Sequence, residues 1–116
     1  MKEKKVLIGG KEIQLKTSAY TPLLYANLFN ANIFAEMQDI ITAAANNGSV
    51  PFEKVITLYR LAYCMAKHAD PKLPPMDEWM DQFDVYDIPE IAGELIELWA
   101  ADASSQSTPK DETEGD

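Results

Sequence analysis

Between Pro51 and Ala69 the chain is apolar around most of a helix's circumference, and that run restricts the folds open to it. Phe52, Val55, Ile56, Tyr59 and Tyr63 fall on one stripe at helical spacing, and Leu58, Leu61, Ala62, Met65 and Ala69 on a second. Only Glu53, Lys54, Thr57, Arg60, Lys67 and His68 interrupt it with polarity. Such a helix is stable in water when covered on most sides, so it is expected at the centre of a helical body. The alternative places one stripe against a partner.

The segments around it supply the cover. Residues 4–16 read as a β-hairpin closed at Gly9-Gly10, a two-residue turn with φ > 0 at both positions. Closure there pairs Ile8 with Lys11 and Val6 with Ile13. It puts Val6, Ile8, Ile13 and Leu15 on one face, and Lys5, Glu12, Gln14 and Lys16 on the other, with Leu7 as the exception. A lone hairpin is marginal in water, so the apolar face needs helices or another copy of the chain.

Thr21-Pro22 is read as a helix start, with Thr21 as cap, Tyr20 and Tyr25 as a hydrophobic staple, and the helix ending near Asn30. A second helix is expected from about Asn32 to Asn46, stopped by Asn46-Asn47-Gly48. After the central helix, Asp70-Pro71-Lys72-Leu73-Pro74-Pro75 is a stiff connector. A short helix over about 75–83 then carries Met76, Trp79, Met80 and Phe83 on one side. Asp87 and Glu90 read as a capping box with Pro89 in the first turn of a last helix over about 88–101. From Asp102 no large apolar residue remains, and the tail is expected to be disordered. The reading is therefore α+β and mainly α. One domain over 1–101 packs a hairpin on about five helices, followed by a polar, acidic tail over 102–116.

The net charge of −9 hides an asymmetry: +3 over residues 1–69 and −12 over residues 70–116. Nucleic acid is an unfavourable partner for such a chain, because phosphate contacts need a basic footprint. A basic protein surface is favoured instead. The single Cys64 has no internal disulfide partner and suits a reducing compartment. The opening residues are too short an apolar run for a signal peptide, and no segment approaches the roughly 18 apolar residues of a membrane span.

No cofactor or metal is expected. Cys64 and His68 stand at i, i+4, but no further Cys or His completes a zinc site. The expected role of that pair is structural: a core thiol beside a histidine at a helix C-terminus. Asp77, Glu78, Asp81, Asp84 and Asp87 lack the spacing of a calcium loop. What rises above background is apolar surface for protein contacts. The candidate interaction residues are Val6, Ile8, Ile13, Leu15, Tyr59, Tyr63, Met76, Trp79, Met80 and Trp99. The same surplus predicts a homo-oligomer, formed through the hairpin and an exposed helical stripe.

The order of segments carries a resemblance. The opening VLIGGKEIQLKTSAYTPLLYANLF leads into an all-helical body, a Pro-rich break, an acidic Trp-bearing end and a polar tail. This layout, over roughly residues 5–100 and most clearly from Ile8 to Phe29, resembles the tail assembly chaperones of long-tailed phages and prophages of Gram-positive bacteria. The resemblance implies a non-catalytic protein that coats the long helical tape measure protein, keeps it soluble and helps bring tail tube subunits to it. It implies action in the host bacterial cytoplasm and absence from the mature virion. It also implies a longer product made by ribosomal frameshifting near the end of this reading frame. The competing class is an acidic, phage-encoded regulatory adaptor that blocks a nucleic-acid-binding host factor.

Overall fold

In the computed structural model, residues 1–48, 50–51 and 54–112 are described, with only the backbone given for residues 47 and 103–112. The fold is an antiparallel hairpin, β1 (Lys2–Ile8) and β2 (Lys11–Thr17), followed by helices. These are α1 (Tyr20–Phe29), α2 (Ile33–Asn47), α3 (Val55–Ala69), α4 (Met76–Met80), α5 (Asp87–Glu90) and α6 (Ala92–Glu112). The expected tail lies, beyond Asp102 itself, outside the described side chains. Asp102 is buried and its carboxylate faces the Met1 amino group at 3.2 Å.

The hairpin forms in the expected register, Val6 opposite Ile13 and Ile8 opposite Lys11. Gly9 and Gly10 both take positive φ, +58° and +82°, so the turn has the twist that matches paired strands. Glycine at 9 has a second reason: a Cβ there would run into the Asp87 carboxylate.

Helix α3 is the centre. It packs on β2 and α1 and also meets α5 and α6, while α6 covers β1. Seven of its residues other than threonine are buried: Leu58, Leu61, Ala62, Tyr63, Cys64, Met65 and Ala66. The apolar face of the hairpin is thus covered within the chain: Val6, Ile8 and Leu15 are buried and Ile13 is half-buried.

Three local expectations are corrected. Thr21 lies inside α1, whose cap position is Ala19, and the side chain that meets the first N–H comes from Ser18. The Ser18 hydroxyl accepts from the Tyr20 N–H at 3.1 Å, Thr21 Oγ1 accepts from the Ser18 N–H at 2.9 Å, and the Thr21 N–H bonds the Ser18 carbonyl at 3.0 Å. Tyr20 is no staple, for its ring lies edge-on to His68 at 5.2 Å while Tyr25 meets Phe29 at 4.9 Å. Helix α4 is shorter than expected because Gln82 Nε2 donates to the Trp79 carbonyl at 2.9 Å, satisfying an end group that a further turn would have used.

The last expected helix is two. Asp87 makes no capping box with Glu90; its carboxylate reaches back to the Asp84 N–H at 2.8 Å. The chain tightens at Ile91, whose N–H bonds the Ile88 carbonyl at 3.0 Å, and α6 starts afresh beyond it. The tight turn brings both Ile88 and Ile91 into the core, which a continuous helix with Gly93 in its second turn does not favour. The ends of α2 are as expected: Asn32 Oδ1 accepts from the Phe34 N–H at 2.9 Å, and Gly48 closes the helix at φ +79°. Phe52, assigned to one stripe of the central helix, lies outside the described residues.

Candidate protein-binding groove

Where α3 emerges from the core, its first turns leave an apolar flank uncovered. Ile56 is 58% exposed and Tyr59 is half-buried one turn later. The chain returns to this flank after the proline connector. That connector is pinned by Tyr63, whose hydroxyl donates to the Pro74 carbonyl at 2.6 Å, and by Lys67, whose ammonium donates to the Leu73 carbonyl at 3.3 Å. Helix α4 and the loop behind it then form a second wall from Met76, Met80, Phe83 and Val85. Between the walls lies a groove of about 340 Å³, floored by the buried Ile88 and edged by Arg60 and Asp84. The Tyr59 hydroxyl crosses it to donate to the Val85 carbonyl at 2.5 Å, fixing the wall separation at that point.

Trp79 supports the groove from beneath. It is buried, edge-on to Phe83 at 5.0 Å and tilted against Tyr63 at 5.6 Å, so it anchors α4 from the same side of the helix on which Met76 and Met80 line the groove. Val85 and Tyr86, at 72% and 73% exposure, extend the apolar surface past the mouth.

Of the ten candidate interaction residues, the structure brings Tyr59, Met76 and Met80 together in this groove. Trp79 and Tyr63 stand behind it as supports. Val6, Ile8 and Leu15 are core residues, with Ile13 packed against them, and they are not available to a partner of the folded chain. The correction has a physical cause, since the many-sided apolarity of α3 supplies the cover that the hairpin needs. Trp99 is also buried, its ring edge-on to the exposed Phe34 at 5.6 Å. Sequence reading did not select Ile56, Val85 and Ile88, and it placed Phe83 with Met76 and Met80 on the apolar side of the short helix. Ile56 and Tyr59 do share a stripe at i, i+3, which was the available signal; Val85 sits in a loop, where no periodicity can flag it.

No known family, curated protein or solved structure gives a significant match to the chain.

The Cys64–His68 pair is built into the start of α1. The Cys64 thiol donates to the Thr21 carbonyl at 3.8 Å, and burial pushes it up to about 12, so it stays protonated. The His68 ring is bracketed by two hydroxyls, Nδ1 at 3.3 Å from Thr21 Oγ1 and Nε2 at 3.4 Å from Ser18 Oγ. Thr21 Oγ1 in turn donates to Thr17 Oγ1 at 3.3 Å, which leaves it to accept from Nδ1–H and leaves Nε2 to accept from Ser18. The arrangement uses neutral imidazole. Burial first, and then the Lys16 charge, hold His68 below its ordinary value, against the opposing pull of a hydrogen bond to the Lys16 backbone and of the Asp102 and Glu3 charges.

The sign of the pH effect follows. A folded-state value below the unfolded one gives stability that is present above the unfolded value of 6.5 and lost as pH falls through the folded value. Melting temperature is expected to drop more between about pH 7 and about pH 5 in the native chain than in His68→Gln. Equal drops would show that His68 contributes nothing to acid sensitivity.

Among the described residues, no group of three or more His, Cys, Asp and Glu is placed to hold a metal ion. No described helix is long and apolar enough to cross a membrane.

Proposed function

We propose that the protein is a tail assembly chaperone of a long-tailed phage or prophage. In this reading it binds the helical tape measure protein, keeps it soluble and helps recruit tail tube subunits. The reading is non-catalytic, set in the host bacterial cytoplasm, with several copies acting along one long helix and none retained in the mature virion. The observation that carries it is the exposed methionine- and aromatic-lined groove beside a strongly acidic segment, on a chain whose segment order resembles that family. Methionines adapt to varied apolar surfaces, and an acidic exterior keeps a complex with a sticky helix in solution. Copies bound side by side gain from one another's local concentration, which is the basis for expecting self-association on the partner.

A tape measure gene next to the reading frame is the first check. Co-expression of its product with this chain should then move the tape measure protein from the pellet to the soluble fraction, with the two proteins co-sedimenting. A tape measure protein that stays insoluble, or stays soluble without forming a complex, would refute the reading.

A further inference from the structure

We infer that the groove between the first turns of α3 and the α4–α5 segment is the docking site for a basic amphipathic α-helix of another protein. The inference rests on the protein-binding reading above, and it fixes the place and chemistry of binding.

The shape of the groove selects a helix. Its walls are side chains of α3, α4 and the following loop, and none of its lining residues belongs to a strand. An extended peptide would find no ladder of backbone groups to pair with there, whereas a helix presents apolar anchors at i, i+3, i+4 and i+7 to a methionine-lined channel. A volume of about 340 Å³ accommodates a pair of such anchors.

The charge around the groove selects a basic helix. Residues 76–90 hold six carboxylates, Asp77, Glu78, Asp81, Asp84, Asp87 and Glu90, and no Lys or Arg. Asp84 edges the groove, and Asp77 and Asp81 are exposed one position beyond Met76 and Met80. The cations Arg60 and Lys11 are already engaged. Arg60 lies 3.9 Å from Glu36 and over the Phe29 ring, and Lys11 donates to Gln82. A basic helix would therefore find its apolar face matched and its flanks opposite carboxylates that make no ion pair among the described residues.

The chain's own C-terminal segment does not suit the groove. Residues 103–116 contain no Val, Ile, Leu, Met, Phe, Tyr or Trp and carry four carboxylates against one lysine. They offer nothing to bury, and their charge opposes approach to Asp77, Asp81 and Asp84.

The methionines make the test internal. In a chain labelled at the methionine methyls, Met76 and Met80 report on the groove while Met37 and Met65, both buried, report on the core. The probe is a synthetic leucine–lysine peptide with leucines at helical spacing. Its controls are a scrambled peptide of the same composition and a leucine–glutamate version. Saturable shifts of Met76 and Met80, with Met37 and Met65 unmoved, are expected with the amphipathic basic peptide only. Ile56→Lys, at an exposed position that the fold tolerates, should weaken binding by about tenfold or more, as should Asp81→Lys combined with Asp84→Lys. The inference is overturned by unmoved Met76 and Met80 signals, by equal binding of the scrambled or acidic peptide, or by full affinity in both variants. Shifts of Met76 and Met80 on concentrating the protein alone would also overturn it, since a second copy would then be the occupant. If Ile56→Lys still solubilised the tape measure protein as well as the native chain, the groove assignment would fail while the chaperone reading survived.

Discussion

Leu61→Ala is expected to cost about 2–5 kcal/mol in chemical denaturation, a large share of the about 5–15 kcal/mol that a domain of this kind has in total. Leu61 lies in the middle of α3 and is 0% exposed. Removing its branched end withdraws apolar atoms from the core and leaves a void in the element that the hairpin, α1, α5 and α6 all lean on. Those elements are tied to one another through α3, so they cannot close the void independently, and the cavity term adds to the transfer term. Ile56→Ala on the same helix removes a side chain that water already reaches, and should change stability by no more than about 0.5 kcal/mol. The midpoint should shift with the denaturant slope unchanged, as befits a change in stability without a change in the surface exposed on unfolding. Similar costs at the two positions would mean that α3 is not the organising helix.

The same contrast shows what the sequence makes legible. The hairpin register was readable because two independent signals, the Gly9-Gly10 turn and the period-two alternation, name the same pairing. The ends of α2 were readable because Asn32 and Gly48 each act through their own neighbours. The start of α1 was misread because Thr21-Pro22 and Ser18 both fit a cap. Both hydroxyls also contact His68, a residue distant in sequence whose ring lies between them. The break at Ile91 depended on both Ile88 and Ile91 finding core to enter, which is a property of the packed body. The interaction candidates divide along the same line. Helical spacing identifies residues that want cover, but whether cover comes from the chain itself is settled by the arrangement of elements. It came for Val6, Ile8 and Leu15, and it did not come for Ile56 and Met80, which face a channel.

Glu36 should prove the most strongly coupled polar residue of the body. Its Oε1 accepts from the Tyr25 hydroxyl at 2.5 Å and from the Thr57 hydroxyl at 3.5 Å, and its Oε2 lies 3.9 Å from Arg60. One carboxylate on α2 thus gathers a donor from α1 and two from α3. Tyr25 is 0% exposed, and burial, then the hydrogen bond to Glu36 and the Glu36 charge, keep its phenol protonated well above its ordinary range, so it is always a donor. A hydrogen bond to a charged acceptor contributes about 1.5–3 kcal/mol, and a buried donor left without a partner costs about 1–3 kcal/mol. Glu36→Ala orphans the Tyr25 hydroxyl and should therefore cost about 2–3 kcal/mol. Tyr25→Phe removes the donor itself and leaves the part-exposed Glu36 with Arg60 and water, so its cost should be smaller, about 1–2 kcal/mol. The two effects cannot add. Once Glu36 is gone the tyrosine hydroxyl is a liability, and Tyr25→Phe in that background should be neutral or stabilising, giving a coupling of about 1–2 kcal/mol in a double-mutant cycle. Glu36→Gln, which keeps an acceptor oxygen but loses the charge, should fall between the native chain and Glu36→Ala. Additive costs would mean that the short Tyr25–Glu36 contact is incidental. The network also bears on the groove, because Arg60 lines it and Glu36 offsets the arginine's charge there. Glu36→Ala should then weaken the basic leucine–lysine peptide as well as the fold. Glu36→Gln, with the fold better preserved, should isolate the electrostatic part of that loss.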